Sequence, residues 1–178
     1  MTLAELQQAV LYLFPKVVYG QNYTAGVDST GAATIDLWQN ALGAQPDTTA
    51  LTAALAAAQL AAAKTAQEQT LTTAYDSARY ASTVALTSGS TTLTFPTDQA
   101  TQLNIMGYVA TFAKMATPPA SVILADASGT VQSLTPSQVQ TLAEDIMTQS
   151  QTDYSQLKTL LAQVDAATTV ADVQAIVW

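Results

Sequence analysis

Ser121–Met147 reads SVILADASGTVQSLTPSQVQTLAEDIM, and two structural periods meet inside it. Ser121 to Ala125 and Thr130 to Leu134 flank Asp126-Ala127-Ser128-Gly129. Asp and Ser side chains bond their own backbone and Gly supplies the left-handed conformation, so this is a turn between two short strands. Thr135-Pro136-Ser137-Gln138 then starts a helix: Thr as cap, Pro at the first helical position, Gln at the third. Val139, Leu142, Ile146, Tyr154, Leu157, Leu161 and Val164 continue it at helical spacing. A β-hairpin handing over directly to a long helix is expected.

The segment before it has the same plan. Tyr80, Ser82, Val84 and Leu86 alternate into Ser88-Gly89-Ser90, and Leu93 and Phe95 follow. Period two around a glycine turn is a hairpin. Pro96-Thr97-Asp98 caps a helix over 98–115, with Leu103, Met106, Val109 and Ala113 inward, and Thr117-Pro118-Pro119 stops it. Residues 79–165 thus hold two hairpin-then-helix units, repeated in architecture but not in sequence. Thr169, with Asp172 three residues on, caps a last short helix running to Trp178.

Toward the N-terminus, Thr2 and Glu5 form a capping box for a helix over 2–14. Leu3, Leu6, Val10 and Leu13 share its face, and Pro15 ends it. From 16 to 45, aromatic and β-branched residues alternate with glycines, which predicts a hairpin turning at Asp28-Ser29-Thr30-Gly31 and returning over Thr34–Trp38. Trp38 could instead begin a helical turn. Asp47 caps an alanine-rich helix over 47–78, about 45 Å long at about 1.5 Å per residue. Leu51, Leu55, Ala58 and Ala62 form a stripe along it, either an oligomer seam or simply high helix propensity, the latter preferred.

The expected fold class is α+β: mainly helical, with short antiparallel hairpins. Three regions are expected: a helix-plus-hairpin module over 1–46, the connecting helix 47–78, and a hairpin-helix-hairpin-helix module over 79–178.

Composition narrows the chemistry. The chain has no histidine, no cysteine and only five Lys and Arg among 178 residues. Histidine and cysteine dominate general-base, nucleophilic and zinc chemistry, and phosphate contacts usually need Arg or Lys. An enzyme, a zinc protein or a nucleic-acid binder is therefore not expected, and no catalytic residue, metal or cofactor is assigned. The formal net charge of −8 disfavours nucleic acid and anionic membranes. Charged residues are only 10 % of the chain, so polarity comes from Thr, Ser and Gln, as on a surface meant to be covered. No apolar run approaches the roughly 18 residues of a membrane span. MTLAELQQAVLYLFP lacks the basic leader of a signal peptide, so none is expected.

Glu144 and Asp145 read as solvated helix acids, and Asp28, Asp36 and Asp47 as turn and cap residues rather than a calcium site. Lys16, Lys64, Arg79, Lys114 and Lys158 are too scattered for a basic patch. Tyr12, Tyr19, Tyr23 and Trp38 concentrate the aromatic residues near the N-terminus, as a small core or as an oligomer or sugar contact, with the core preferred. Tyr19, Tyr23, Trp38, Leu51 and Leu55 are the candidate interaction surface.

Leu13–Asp47, LFPKVVYGQNYTAGVDSTGAATIDLWQNALGAQPD, resembles the opening of small phage tail proteins of the XkdW-like type. Phe14, Pro15, Tyr23, Asp28, Ile35, Trp38, Gln45 and Pro46 carry the resemblance, and Asp47 stands where Thr is commoner. From Tyr80 to Trp178 the chain is similar to a domain of unknown function at the C-terminus of phage tail proteins, through Phe95, Asp98, Ile105, Leu134, Thr135, Ala166, Ala167, Val170 and Trp178. Ile123 and Ser128 replace the usual Trp and Asn of its second hairpin. The resemblance implies a non-enzymatic tail component at the baseplate, tail tip or fibre, in the virion and passing through the host cytoplasm during assembly. Its partners would be other tail proteins and further copies of itself. A tail-fibre assembly chaperone and a carbohydrate-binding module for host attachment are the alternatives.

Overall fold

A computed structural model describes residues 1–88 and 90–178. Gly89, the centre of the expected Ser88-Gly89-Ser90 turn, lies outside the described residues. The fold is α+β. Helices α1 (Leu3–Leu13), α2 (Thr48–Ala81), α3 (Gln99–Phe112), α4 (Pro136–Ala166) and α5 (Val170–Gln174) alternate with strands β1 (Tyr23–Val27), β2 (Ala33–Trp38), β3 (Thr83–Ser88), β4 (Thr91–Pro96), β5 (Val122–Ala125) and β6 (Val131–Leu134). The strands pair as three separate antiparallel hairpins, β1-β2, β3-β4 and β5-β6. The chain divides into two compact units, Met1–Gln67 with Val164–Ala175, and Glu68–Gln163 with Ile176–Trp178.

In the first unit, α1 starts with a reciprocal cap. The Thr2 hydroxyl accepts from the Glu5 N–H at 3.3 Å, and the Glu5 carboxylate accepts from the Thr2 N–H at 2.7 Å. Leu6, Ala9 and Val10 are its buried face and pack with Val17, Tyr23, Ala25, Leu51 and Ala54. A bulge between Thr24 and Ala25 shifts the β1-β2 register, so that Thr24 faces Leu37 and Ala25 faces Ile35. The Phe14 and Trp38 rings meet edge to face, 5.0 Å apart. Asp47 caps α2 by accepting from the Ala50 N–H at 2.7 Å. Further along α2 the Lys64 ammonium donates to the Asp165 carbonyl at 2.6 Å.

The second unit packs the inner faces of two hairpins against two helices. Val84, Leu86 and Phe95 from β3-β4, and Leu124 and Leu134 from β5-β6, bury against Ile105 of α3 and Val139, Leu142, Ala143 and Ile146 of α4. Alternation puts their strand neighbours outward. Asp98 caps α3 through the Thr101 N–H at 2.9 Å. Thr135 and Gln138 cap α4 reciprocally, at 2.8 and 3.3 Å. The Ala127 N–H, in the second hairpin's turn, donates to the Thr94 carbonyl of β4 at 2.7 Å.

Several expected inward positions differ. In α3 the buried residue is Ile105, with Tyr108, Val109 and Phe112 packed on the core, while Leu103 is 73 % exposed. Leu103 fits the helical period, but hairpin β3-β4 meets the stripe centred on Ile105. In α4 Tyr154 points outward and its neighbour Asp153 is buried. Leu13 of α1 and Ala62 of α2 are exposed, and Ala54 is buried instead. Tyr80 belongs to the end of α2, not to a strand, because β3 begins only at Thr83. The last helix stops at Gln174, short of Trp178. Among the described residues no helix is long and apolar enough to cross a membrane.

Candidate interaction surface

The helices carry their polarity on hydroxyls that are already bonded. In α2, Thr52, Thr65, Thr72 and Thr73 each donate to the carbonyl four residues back, at 2.8 to 3.2 Å. In α4, Thr141, Thr148, Thr152 and Thr159 do the same, at 2.8 to 3.2 Å. A hydroxyl bonded within its own helix can be covered by another protein without losing that bond.

Both units also expose apolar side chains. In the first unit Leu11, Tyr12, Leu13, Val18 and Tyr19 are 39 to 49 % exposed, and Lys16 is the charged residue in that run. In the second unit, Ile123 and Val131 are each 65 % exposed on the outer face of β5-β6, with Ala125 and Ser133.

The five residues singled out from sequence are distributed across the first unit's core and surface. Tyr23 and Leu51 are buried, and Leu55 and Trp38 pack against the same core. The Trp38 indole N–H donates to the Gly43 carbonyl at 3.0 Å. Tyr19 is half exposed; its hydroxyl donates to the Ala25 carbonyl at 3.2 Å and its ring meets Tyr23 edge to face. The fold thus brings the aromatics together, with Tyr19 at the surface. Leu11 and Val18, which the sequence reading did not single out, are exposed as Tyr12 is. Their signal was an apolar run longer than one helix face can bury.

The carboxylates serve local structure. The Thr30 hydroxyl holds Asp28 below its ordinary range, and the Ser128 hydroxyl does so for Asp126. Backbone N–H groups of Thr101 and Thr2 lower Asp98 and Glu5 respectively. Burial pushes the Tyr23 phenol up. Among the described residues no three acidic side chains gather as they would around a metal ion. Asp153 is buried, with one oxygen accepting from the Gln149 amide at 2.8 Å and the other without a partner.

Depressions line the second unit. One of about 540 Å³ runs along α4 from Thr148 to Leu160. Another, of about 440 Å³, lies between the end of α3 and the start of α4, with Val109, Phe112, Pro118 and Pro136 in its wall. A further one, of about 370 Å³, separates Thr83–Ala85 of β3 from Asp145, Thr148, Gln149 and Thr152 of α4. All are shallow and carry no convergent acid-base pair.

Residues 62–177 match the family model of a domain of unknown function, DUF4376, and residues 6–63 match that of the XkdW protein. XkdW is a phage-associated family. Neither a curated protein nor a solved structure matches the chain.

Proposed function

We propose that this chain, which belongs to the DUF4376 family, is a non-enzymatic structural component of a bacteriophage tail, attached at the baseplate, tail tip or fibre. The observation that carries the reading is the join of a phage-associated XkdW region to a DUF4376 region in one chain. The self-bonded hydroxyls of α2 and α4 support it, since they suit a part covered by neighbours. In this reading the protein resides in the virion after assembly in the host cytoplasm. Its partners are other tail proteins and further copies of itself, associated with closed symmetry.

Mass spectrometry of purified virions tests it. The expected result is the intact chain in the particle at a fixed stoichiometry. Its presence in infected cells but absence from particles would replace the structural role with that of an assembly chaperone. A sugar-binding role is less well supported, because Trp38 packs its ring on Phe14 and donates its N–H to Gly43.

A further inference from the structure

Strands β3 and β4 pair Thr83 with Pro96, Ala85 with Thr94 and Thr87 with Thr92. Antiparallel pairs alternate between those that exchange hydrogen bonds and those that do not. Two bonds fix the phase here. The Thr97 N–H donates across to the Ser82 carbonyl at 3.0 Å, so that pair faces inward. The Thr94 carbonyl accepts from Ala127 at 2.7 Å, so Thr94 turns its backbone away from β3. Its partner Ala85 then turns its N–H and C=O away from β4, and Thr83 and Thr87 do likewise.

These outward groups are open. Among the described residues no other strand pairs with β3. The opposite edge is protected at two of its positions: Ala127 covers Thr94, and Pro96 has no N–H to offer. Exposed edges are usually blunted by charge, proline or a bulge. From Thr83 to Ser88 β3 has none of these. Beside it lies the 370 Å³ groove whose far wall is Asp145, Thr148, Gln149 and Thr152.

We propose that this edge takes up an extended segment of another particle subunit as a third strand. The occupant follows from the chemistry. Outward N–H and C=O groups at alternate residues recognise extended backbone. The polar wall suits a strand with polar side chains, and Asp145 favours one that is uncharged or basic where it passes. At this edge a second copy fits less well, because meeting edge to edge it would bring its own Asp145 wall against this one. The proposal rests on reading the chain as a subunit that docks on others.

The test uses the full chain, labelled with nitrogen-15, and a short capped peptide alternating valine with threonine and lysine. Titration is expected to shift the amides of Thr83–Thr87 and of Asp145–Thr152, and to slow hydrogen exchange at Thr83, Ala85 and Thr87. Ala85→Pro removes an outward N–H that the hairpin does not use, and should weaken binding about tenfold. Asp145→Lys lies on the exposed face of α4 and leaves the hairpin intact. It should weaken the lysine peptide and favour a version with glutamate in place of lysine. A titration without shifts at Thr83–Thr87 would overturn the proposal, as would unchanged affinity in both variants. Protection of the same amides by concentration alone would make a second copy the occupant and also overturn it. None of these results bears on whether the chain is in the virion, which the particle's mass spectrum decides.

Discussion

Asp28 and Asp126 make the same turn in two separate hairpins. In each, one carboxylate oxygen accepts from the N–H two residues on, at 2.8 Å for Thr30 and 2.9 Å for Ser128. The same oxygen accepts from the hydroxyl of that residue at 2.6 Å in both turns. It also takes the N–H four residues on at 3.0 Å, from Ala32 and from Thr130. Gly31 and Gly129 close the turns with φ of +83° each. One local code, Asp-x-Ser/Thr-Gly, therefore sets two hairpins whose strands share no sequence.

Acid should loosen both turns. Each carboxyl is held below the ordinary Asp value of 3.8 in the folded chain. The unfolded chain therefore takes up protons first, and the stabilisation present above that value is lost as pH falls through it toward the lower folded value. Asp98 acts in the same direction. Urea midpoints measured from pH 5 to pH 2.5 should fall for the wild type. Asp28→Asn with Asp126→Asn keeps an acceptor without the titration, so its decline should be shallower. Parallel curves would show that these turns do not govern the acid response.

The two kinds of glycine should respond differently to alanine. At Gly129 nothing lies within 4 Å of an added Cβ, so only the positive φ opposes it, at about 1 kcal/mol. At Gly26 the backbone is ordinary, but a Cβ would sit 2.6 Å from the Asp36 carboxylate. Asp36 would swing away and lose its 3.0 Å bond from the Thr34 hydroxyl. Adding Asp36→Ala should therefore make Gly26→Ala nearly neutral and leave Gly129→Ala as costly as before. Thermal unfolding of the two glycine variants, Asp36→Ala and the two double variants reads this directly.

The α3 face was the part of the fold least legible in sequence. Caps and turns are local, so Thr2 with Glu5, Asp98, Thr135 with Gln138, and both Asp-led turns could be read directly. Which stripe of a mostly apolar helix faces inward is decided by what packs on it. QATQLNIMGYVATF offers Leu103 and Ile105 on different faces, and periodicity favoured the wrong one. The same held for the surface: Tyr19 and Tyr23 are equally aromatic, and only the hairpin's pairing buries one and leaves the other half exposed.

Truncation should separate those two faces cleanly. Phe95 is fully buried, and Phe95→Ala should cost about 3–5 kcal/mol through lost contact and a cavity. Leu103, 73 % exposed, should change stability by less than about 0.5 kcal/mol when cut to alanine. Ile105→Ala should resemble Phe95→Ala in direction, at about 2–5 kcal/mol. Chemical denaturation of the three variants checks the order. A large loss at Leu103 would mean that α3 presents that face to a partner copy.

Asp153 should be better replaced than kept, where stability is concerned. It sits 6 % exposed on the same stripe of α4 as Ile146 and Leu157, and one of its oxygens has no partner. A buried acceptor without a bond costs about 1–3 kcal/mol. The bond on its other oxygen comes from Gln149, which is exposed and can turn to water instead. Asp153→Leu restores the apolar period and removes the unpaired oxygen, so it should stabilise the chain by about 1 kcal/mol or more. Asp153→Asn supplies the control, because it keeps the shape and the acceptor toward Gln149 while adding two donors that lack an evident partner. It should gain less than leucine does. If leucine destabilises the chain instead, the free oxygen has a partner in solution, and the carboxylate is held at that position for binding and not by the packing of α4.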